Sequence, residues 1–225
     1  MAGNEVNNWT KFGYVLSTAG FCLGLYGVFR RPQAAAQAAA LPPSQRVLHP
    51  GDSFSLVGDS IGVGMQHPLN DLSNAYGTFL TSHVKVGTTI GYWAKLADDS
   101  WGAYKAVILC LGSNDAAGKP EAEATELASL LQRLRAYGAL VFWLRPPSFN
   151  LAALKPGQAA VEQLFWDAGV PALELYGPPV GVAGDPMKLH PSPQGYKTLA
   201  AQTFDALTRG ALALPRRSAG PKLAR

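Results

Sequence analysis

The stretch FSLVGDSIGVG, residues 54–64, changes character in its middle. Phe54 to Gly58 is a short, mostly apolar run that ends in glycine, which reads as a buried strand. From Ser60 to about Leu72 the pattern predicts a helix. The turn Gly58-Asp59-Ser60 therefore joins the carboxyl end of a strand directly to the start of a helix. A second Gly-Asp-Ser, at residues 51–53, follows His49-Pro50 and precedes the strand, so it reads as an ordinary turn.

The same alternation continues outward. SHVKV (82–86) reads as a second strand, ended by Gly87, and Tyr92 to about Asp98 as a short helix. KAVILCLG (105–112) is the strongest strand, with uninterrupted apolar residues from Ala106 to Leu111. In EAEATELASLLQRLRAYG (121–138), Leu127, Leu130, Leu131 and Leu134 recur at helical spacing, and Gly138 suits a C-terminal cap. ALVFWL (139–144) is a strand stopped by Pro146 and Pro147. A helix over 158–168, a strand over 171–175 and a helix over 192–207 complete the series. Strands that alternate with helices and are apolar throughout indicate an α/β protein whose parallel sheet is covered on both faces. Ligands in such sheets sit beyond the carboxyl ends of the strands.

The flanks differ from this core. Phe12 to Phe29, FGYVLSTAGFCLGLYGVF, carries no charge and as a helix would span about 27 Å, close to a bilayer's hydrocarbon thickness. Trp9 and Lys11 precede it, and Tyr26, Arg30 and Arg31 mark its far end, as suits two membrane interfaces. Residues 1–31 thus read as an uncleaved anchor, since a signal peptide would carry its basic charge before the apolar stretch. Gly20 and Gly24 are spaced for close helix packing and self-association. Residues 32–45 (PQAAAQAAALPPSQ) read as a linker and 211–225 as a basic flexible tail, which leaves 46–210 as the globular domain.

Composition narrows the classes further. The 225 residues include 24 Gly and 17 Pro, with 48% apolar and 15% charged residues. These values exclude a collagen, a coiled coil and an acidic disordered chain. Only two cysteines occur, Cys22 and Cys110, so neither a disulfide scaffold nor a four-cysteine zinc site is expected. The net charge is +4, but no basic patch interleaved with aromatics accompanies it, so nucleic-acid binding is not expected.

Four positions beyond the strands stand out. They are Ser60 after the first strand, Gly87 after the second, Asn114 in Gly112-Ser113-Asn114-Asp115 after the third, and His190 in HPSPQGY before the last helix. In kind and order they resemble the SGNH/GDSL hydrolases, over residues 52 to 210. The resemblance implies a three-layer α/β/α fold with a flavodoxin-like, parallel, five-stranded sheet. It also implies Ser60 as nucleophile, His190 as its base, and an oxyanion hole made of the Ser60 N–H, the Gly87 N–H and the Asn114 side chain. The chemistry asks for these types: a serine attacks well only when a base takes its proton, and the resulting oxyanion needs preorganised donors. Asp59 and Asp115 read as local braces. His49, His67 and His83 read as ordinary surface or satisfied histidines.

The family's usual acid, three residues before the histidine, is replaced here by Met187. Asp185, five residues before, is the candidate triad acid; the other arrangement is a dyad whose histidine is oriented by a backbone carbonyl. The Pro/Gly-rich loops after the fourth and fifth strands are short, which favours an exposed groove over a long acyl tunnel. The expected activity is hydrolysis of a short-chain, acetyl-type ester, on a cell-envelope polysaccharide. The alternatives are a lysophospholipase-type lipid esterase and a catalytically silent module for binding or virion assembly. The expected location is a membrane, in the bacterial envelope or a virion, with its side open. No metal or organic cofactor is expected, because no ligand-spaced His/Cys cluster and no phosphate-binding GxGxxG appear.

Overall fold

The computed structural model describes residues 46–146, 155–173 and 190–209. The anchor, the linker, the tail and Asp185 lie outside the described residues. Among those that are described, no helix is long and apolar enough to cross a membrane.

Five strands form one parallel sheet: β1 Ser53–Gly58, β2 Phe79–Val84, β3 Ala106–Cys110, β4 Leu140–Leu144 and β5 Ala172–Leu173, in the order β2-β1-β3-β4-β5. This is the flavodoxin-like order. Among the described residues five α-helices accompany them: α1 Ser60–Tyr76, α2 Ile90–Leu96, α3 Ala124–Arg135, α4 Lys155–Asp167 and α5 Pro193–Arg209. The chain moves one way from β1 to β2, then passes back over β1 to β3 and continues to β4 and β5. Right-handed crossovers therefore put the helix after β1 on one face and the helices after β2, β3 and β4 on the other. The last helix, α5, packs beside α1, while α2 packs beside α3, so the layers are helix, sheet, helix.

The two central strands carry the core. Phe54, Leu56 and Val57 of β1 are fully buried, and so are Ala106 to Leu109 of β3. Leu127, Leu130, Leu131 and Leu134 turn one face of α3 onto the sheet, as their spacing predicts. The domain closes on itself where the Val47 and Leu48 N–H groups both donate to the Leu207 carbonyl, at 2.8 and 3.0 Å.

The boundaries depart from expectation for identifiable reasons. β2 begins at Phe79, three residues before the expected start, and ends at Val84 rather than Val86. It is an edge strand with no fully buried residue: Phe79 is 64% exposed, and Val86, just beyond its end, is 66% exposed. An edge strand lacks the continuous apolar run that marks a central one, so its limits follow its register, Ser53 with Phe79 through Gly58 with Val84. α1 runs on to Tyr76 because its stop is Gly77, left-handed at φ 82°, whose N–H returns to Asn74 and Ser73. α2 starts two residues early, where the Thr89 side chain accepts the Tyr92 N–H, and it gives way to a 3₁₀ turn over Asp99–Ala103 capped by Asp98. A 3₁₀ turn, Pro120–Glu123, likewise takes the first part of the expected 121–138 helix. α4 begins at Lys155 rather than 158, and α5 ends at Arg209 rather than 207.

Candidate active site

The direction of winding across the sheet reverses between β1 and β3, the place where a parallel sheet of this kind offers a crevice beyond its carboxyl ends. The first residues past β1 are Asp59 and Ser60. Asp59 caps α1: its Oδ1 accepts the Ile61 N–H at 2.9 Å. The capping falls to Asp59, so the Ser60 hydroxyl is not consumed by the helix. It instead meets His190, whose Nε2 lies 3.0 Å from Ser60 Oγ across 130 residues of sequence. As the first residue of α1, Ser60 also presents an N–H with no partner inside the helix. His190 is held at the entrance to α5, where the Ser192 hydroxyl accepts the Gly195 N–H at 3.1 Å.

Two loops supply the other expected positions. Gly87 is left-handed at φ 76°, and a Cβ built there meets nothing within 4 Å among the described residues. Asn114 lies four residues past the end of β3, and its Nδ2 donates to the Thr88 carbonyl at 2.9 Å, which fixes the amide and leaves its second hydrogen uncommitted by that bond. Thr88 itself is buried. Its hydroxyl donates to the Lys85 carbonyl at 2.8 Å, lies 3.4 Å from the Gly58 carbonyl, and accepts the Trp93 indole N–H at 3.0 Å. Nothing in the sequence pattern singles Thr88 out beyond its place after Gly87.

The braces are carboxylates in unfavourable surroundings. Burial pushes the Asp59 carboxyl up to about 6, against the Ile61 N–H, Ser113 and the His190 charge, which pull it down. Ser113 lies beside it, yet among the described residues neither the Asp59 Oδ2 nor the Ser113 hydroxyl has an aligned hydrogen-bond partner. Asp115 accepts the Ile90 N–H at 3.0 Å and so ties the loop after β3 to the start of α2. Burial, with Glu123 and Asp59 adding to it, raises its carboxyl to about 6 as well. Both aspartates thus brace the loops.

The remaining histidines divide. His49 is exposed in the Pro50-Gly51 turn, where its N–H donates to Asp52, so the earlier Gly-Asp-Ser is a turn. His83 differs from expectation: it stacks on Trp101 with ring centroids 4.0 Å apart, and its buried Nε2 lacks a hydrogen-bond partner. Burial lowers its pKa. The Cys110 thiol is buried at the end of β3, and burial pushes its pKa well up, so it is an inert core group. No group of three His, Cys, Asp or Glu among the described residues is arranged to hold a metal ion.

No protein-family model and no curated protein sequence matches the chain. Solved structures do match in fold. A putative SGNH hydrolase from Slackia heliotrinireducens superposes with a TM-score of 0.56 at 18% identity, over 69% of this chain and 98% of that one. A variant of the acetyl xylan esterase Axe2 from Geobacillus stearothermophilus gives 0.53 at 15%, over 76% and 99%. A family 3 carbohydrate esterase from Clostridium thermocellum gives 0.54 at 19%, over 69% and 94%. The chain has the fold of the SGNH/GDSL hydrolases.

Proposed function

We propose that this protein is a serine ester hydrolase in which Ser60 attacks and His190 is the base. The observation that carries the proposal is the 3.0 Å contact between His190 Nε2 and Ser60 Oγ, made at the carboxyl edge of the sheet. In the reaction, the Ser60 oxygen adds to the ester carbonyl while its proton passes to His190 Nε2. The developing oxyanion is met by the Ser60 N–H, the Gly87 N–H and the Asn114 Nδ2–H. Collapse expels the alcohol, which takes the proton from His190. Water, deprotonated by the same imidazole, then adds to the acyl carbonyl; the bond to Ser60 breaks, the acid departs and Ser60 Oγ takes the proton back from His190. Asp185 is the acid proposed to orient His190.

The proposed substrate is a short, acetyl-type ester carried on carbohydrate. Its support is likeness of fold to an acetyl xylan esterase and a carbohydrate esterase. Residues 12–29 are proposed to hold the domain at a membrane. Liposome flotation tests this: the full chain floats, and a chain lacking residues 1–45 stays at the bottom.

The test of the activity is labelling by a fluorophosphonate, beside Ser60→Ala. Labelling of the wild type alone is expected. A folded wild type that takes no label would overturn the enzymatic reading and favour a binding or assembly module.

A further inference from the structure

We infer that Thr88 is a positioning residue that sets the geometry of the oxyanion hole. The inference rests on the reading of Ser60, Gly87 and Asn114 as its donors. One buried residue joins all three of the strand ends that carry them. Its hydroxyl donates to the Lys85 carbonyl at 2.8 Å, closing a tight loop that encloses Val86 and Gly87. The left-handed φ of 76° at Gly87 is thereby held, and with it the direction of the Gly87 N–H. Its own carbonyl receives the Asn114 Nδ2–H at 2.9 Å, which orients the amide. The hydroxyl also lies 3.4 Å from the carbonyl of Gly58, the residue before Asp59-Ser60, and that carbonyl further accepts the Lys85 N–H at 3.0 Å.

The bond inventory explains why a threonine suits the position. A hydroxyl offers one proton and two lone pairs. The proton goes to Lys85, with Gly58 as a distant second acceptor, and a lone pair takes the Trp93 indole N–H at 3.0 Å. Trp93 is itself buried among core residues, so the hydroxyl is anchored to a rigid wall. Removing the hydroxyl leaves the loop around Gly87 unclosed and the buried Trp93 indole N–H without this partner. Catalytic donors misplaced by a fraction of an ångström lose much of their effect on the transition state while substrate binding survives.

The experiment compares Thr88→Val, which keeps the shape and deletes the hydroxyl, with Thr88→Ser, which keeps the hydroxyl. Full-length protein is assayed by the second-order rate of fluorophosphonate labelling and by kcat and KM for p-nitrophenyl acetate. The expected result for Thr88→Val is a loss of about tenfold to a hundredfold in labelling rate and in kcat, with KM changed less than about threefold. Thr88→Ser is expected to stay within about threefold of wild type in kcat. Should Thr88→Val fail to fold, Thr88→Ala against Thr88→Ser makes the same comparison. Labelling of a folded hydroxyl-less variant at the wild-type rate, or equal losses for the valine and serine variants, would overturn the inference. A wild type that takes no label would instead refute the hydrolase reading on which it rests.

Discussion

Gly64 lies one helical turn beyond Ser60, and the ring of Tyr196 is seated against it. A Cβ added at Gly64 would sit 2.2, 2.3 and 2.5 Å from Cζ, Cε1 and Cε2 of that ring. Carbon contacts are comfortable at about 3.5–4.0 Å, so the overlap exceeds an ångström and the ring must move. Two effects oppose each other in Gly64→Ala. Alanine in place of glycine inside a helix gains about 1 kcal/mol. Forcing a methyl into a filled contact costs about 1–3 kcal/mol. The expected net effect is a loss of up to about 2 kcal/mol, or a Tm lower by up to about 8 °C for a domain of this size. The sign is the test. In a Tyr196→Ala background the obstacle is gone, and the same Gly64→Ala change should stabilise by about 1 kcal/mol. Thermal unfolding of the four proteins of this cycle gives the coupling directly. Gly64→Ala lowering Tm equally in both backgrounds would refute the reasoning. The contact also joins the helix that carries Ser60 to the one that follows His190, so displacing the ring should slow fluorophosphonate labelling of the single variant.

Three further outcomes are expected. Asn114→Ala should lower kcat for p-nitrophenyl acetate by about two to three orders of magnitude with little change in KM, as loss of one oxyanion donor does; an unchanged kcat removes Asn114 from the hole. Asp115 carries a carboxyl raised to about 6 in the folded state from an ordinary 3.8, so the folded protein binds more protons than the unfolded chain between those values. Stability from this group is therefore greatest below about pH 4 and declines as pH rises to about 6; chemical denaturation should show Asp115→Asn gaining on the wild type by about 1–3 kcal/mol across that window, and a difference constant with pH would contradict the assignment. Asp185→Asn should reduce kcat while leaving Tm unchanged; a full rate would mean that His190 is oriented without it, as in a dyad.

What the sequence discloses depends on how far apart the cooperating residues stand along it. β1 and β3 are buried on both faces, so their apolar runs announce them, and the residues just past each are found by counting. Ser60 and Asn114 were visible for that reason, and His190 through the HPSPQGY block. β2 lies at an edge, with Phe79 and Val86 in solvent, so no apolar run marks its limits and it is misplaced by two or three residues. Whether Ser60 or Asp59 caps α1 is equally hidden, because both are good caps and only the conformation at residue 59 decides.

The bonds of Thr88 are hidden more deeply. They reach Gly58 and Asn114, which stand 30 and 26 residues away, and such pairings leave no periodic trace. Yet they follow from the topology. β2 is reached by leaving β1 in one direction, and β3 by crossing back over it. The loop that leaves β2 must therefore pass the carboxyl end of β1 on its way to the far face. Residues 85–89 are that loop, and they lie where the ends of β1, β2 and β3 come within hydrogen-bond reach of one another. A polar residue buried at that junction bonds the Lys85 carbonyl and the Trp93 indole through its hydroxyl and the Asn114 amide through its carbonyl, and in doing so it orients the donors around Ser60. The crevice and its scaffold thus arise from the same reversal of winding across the sheet: the feature that offers a site between β1 and β3 also delivers Thr88 to hold it.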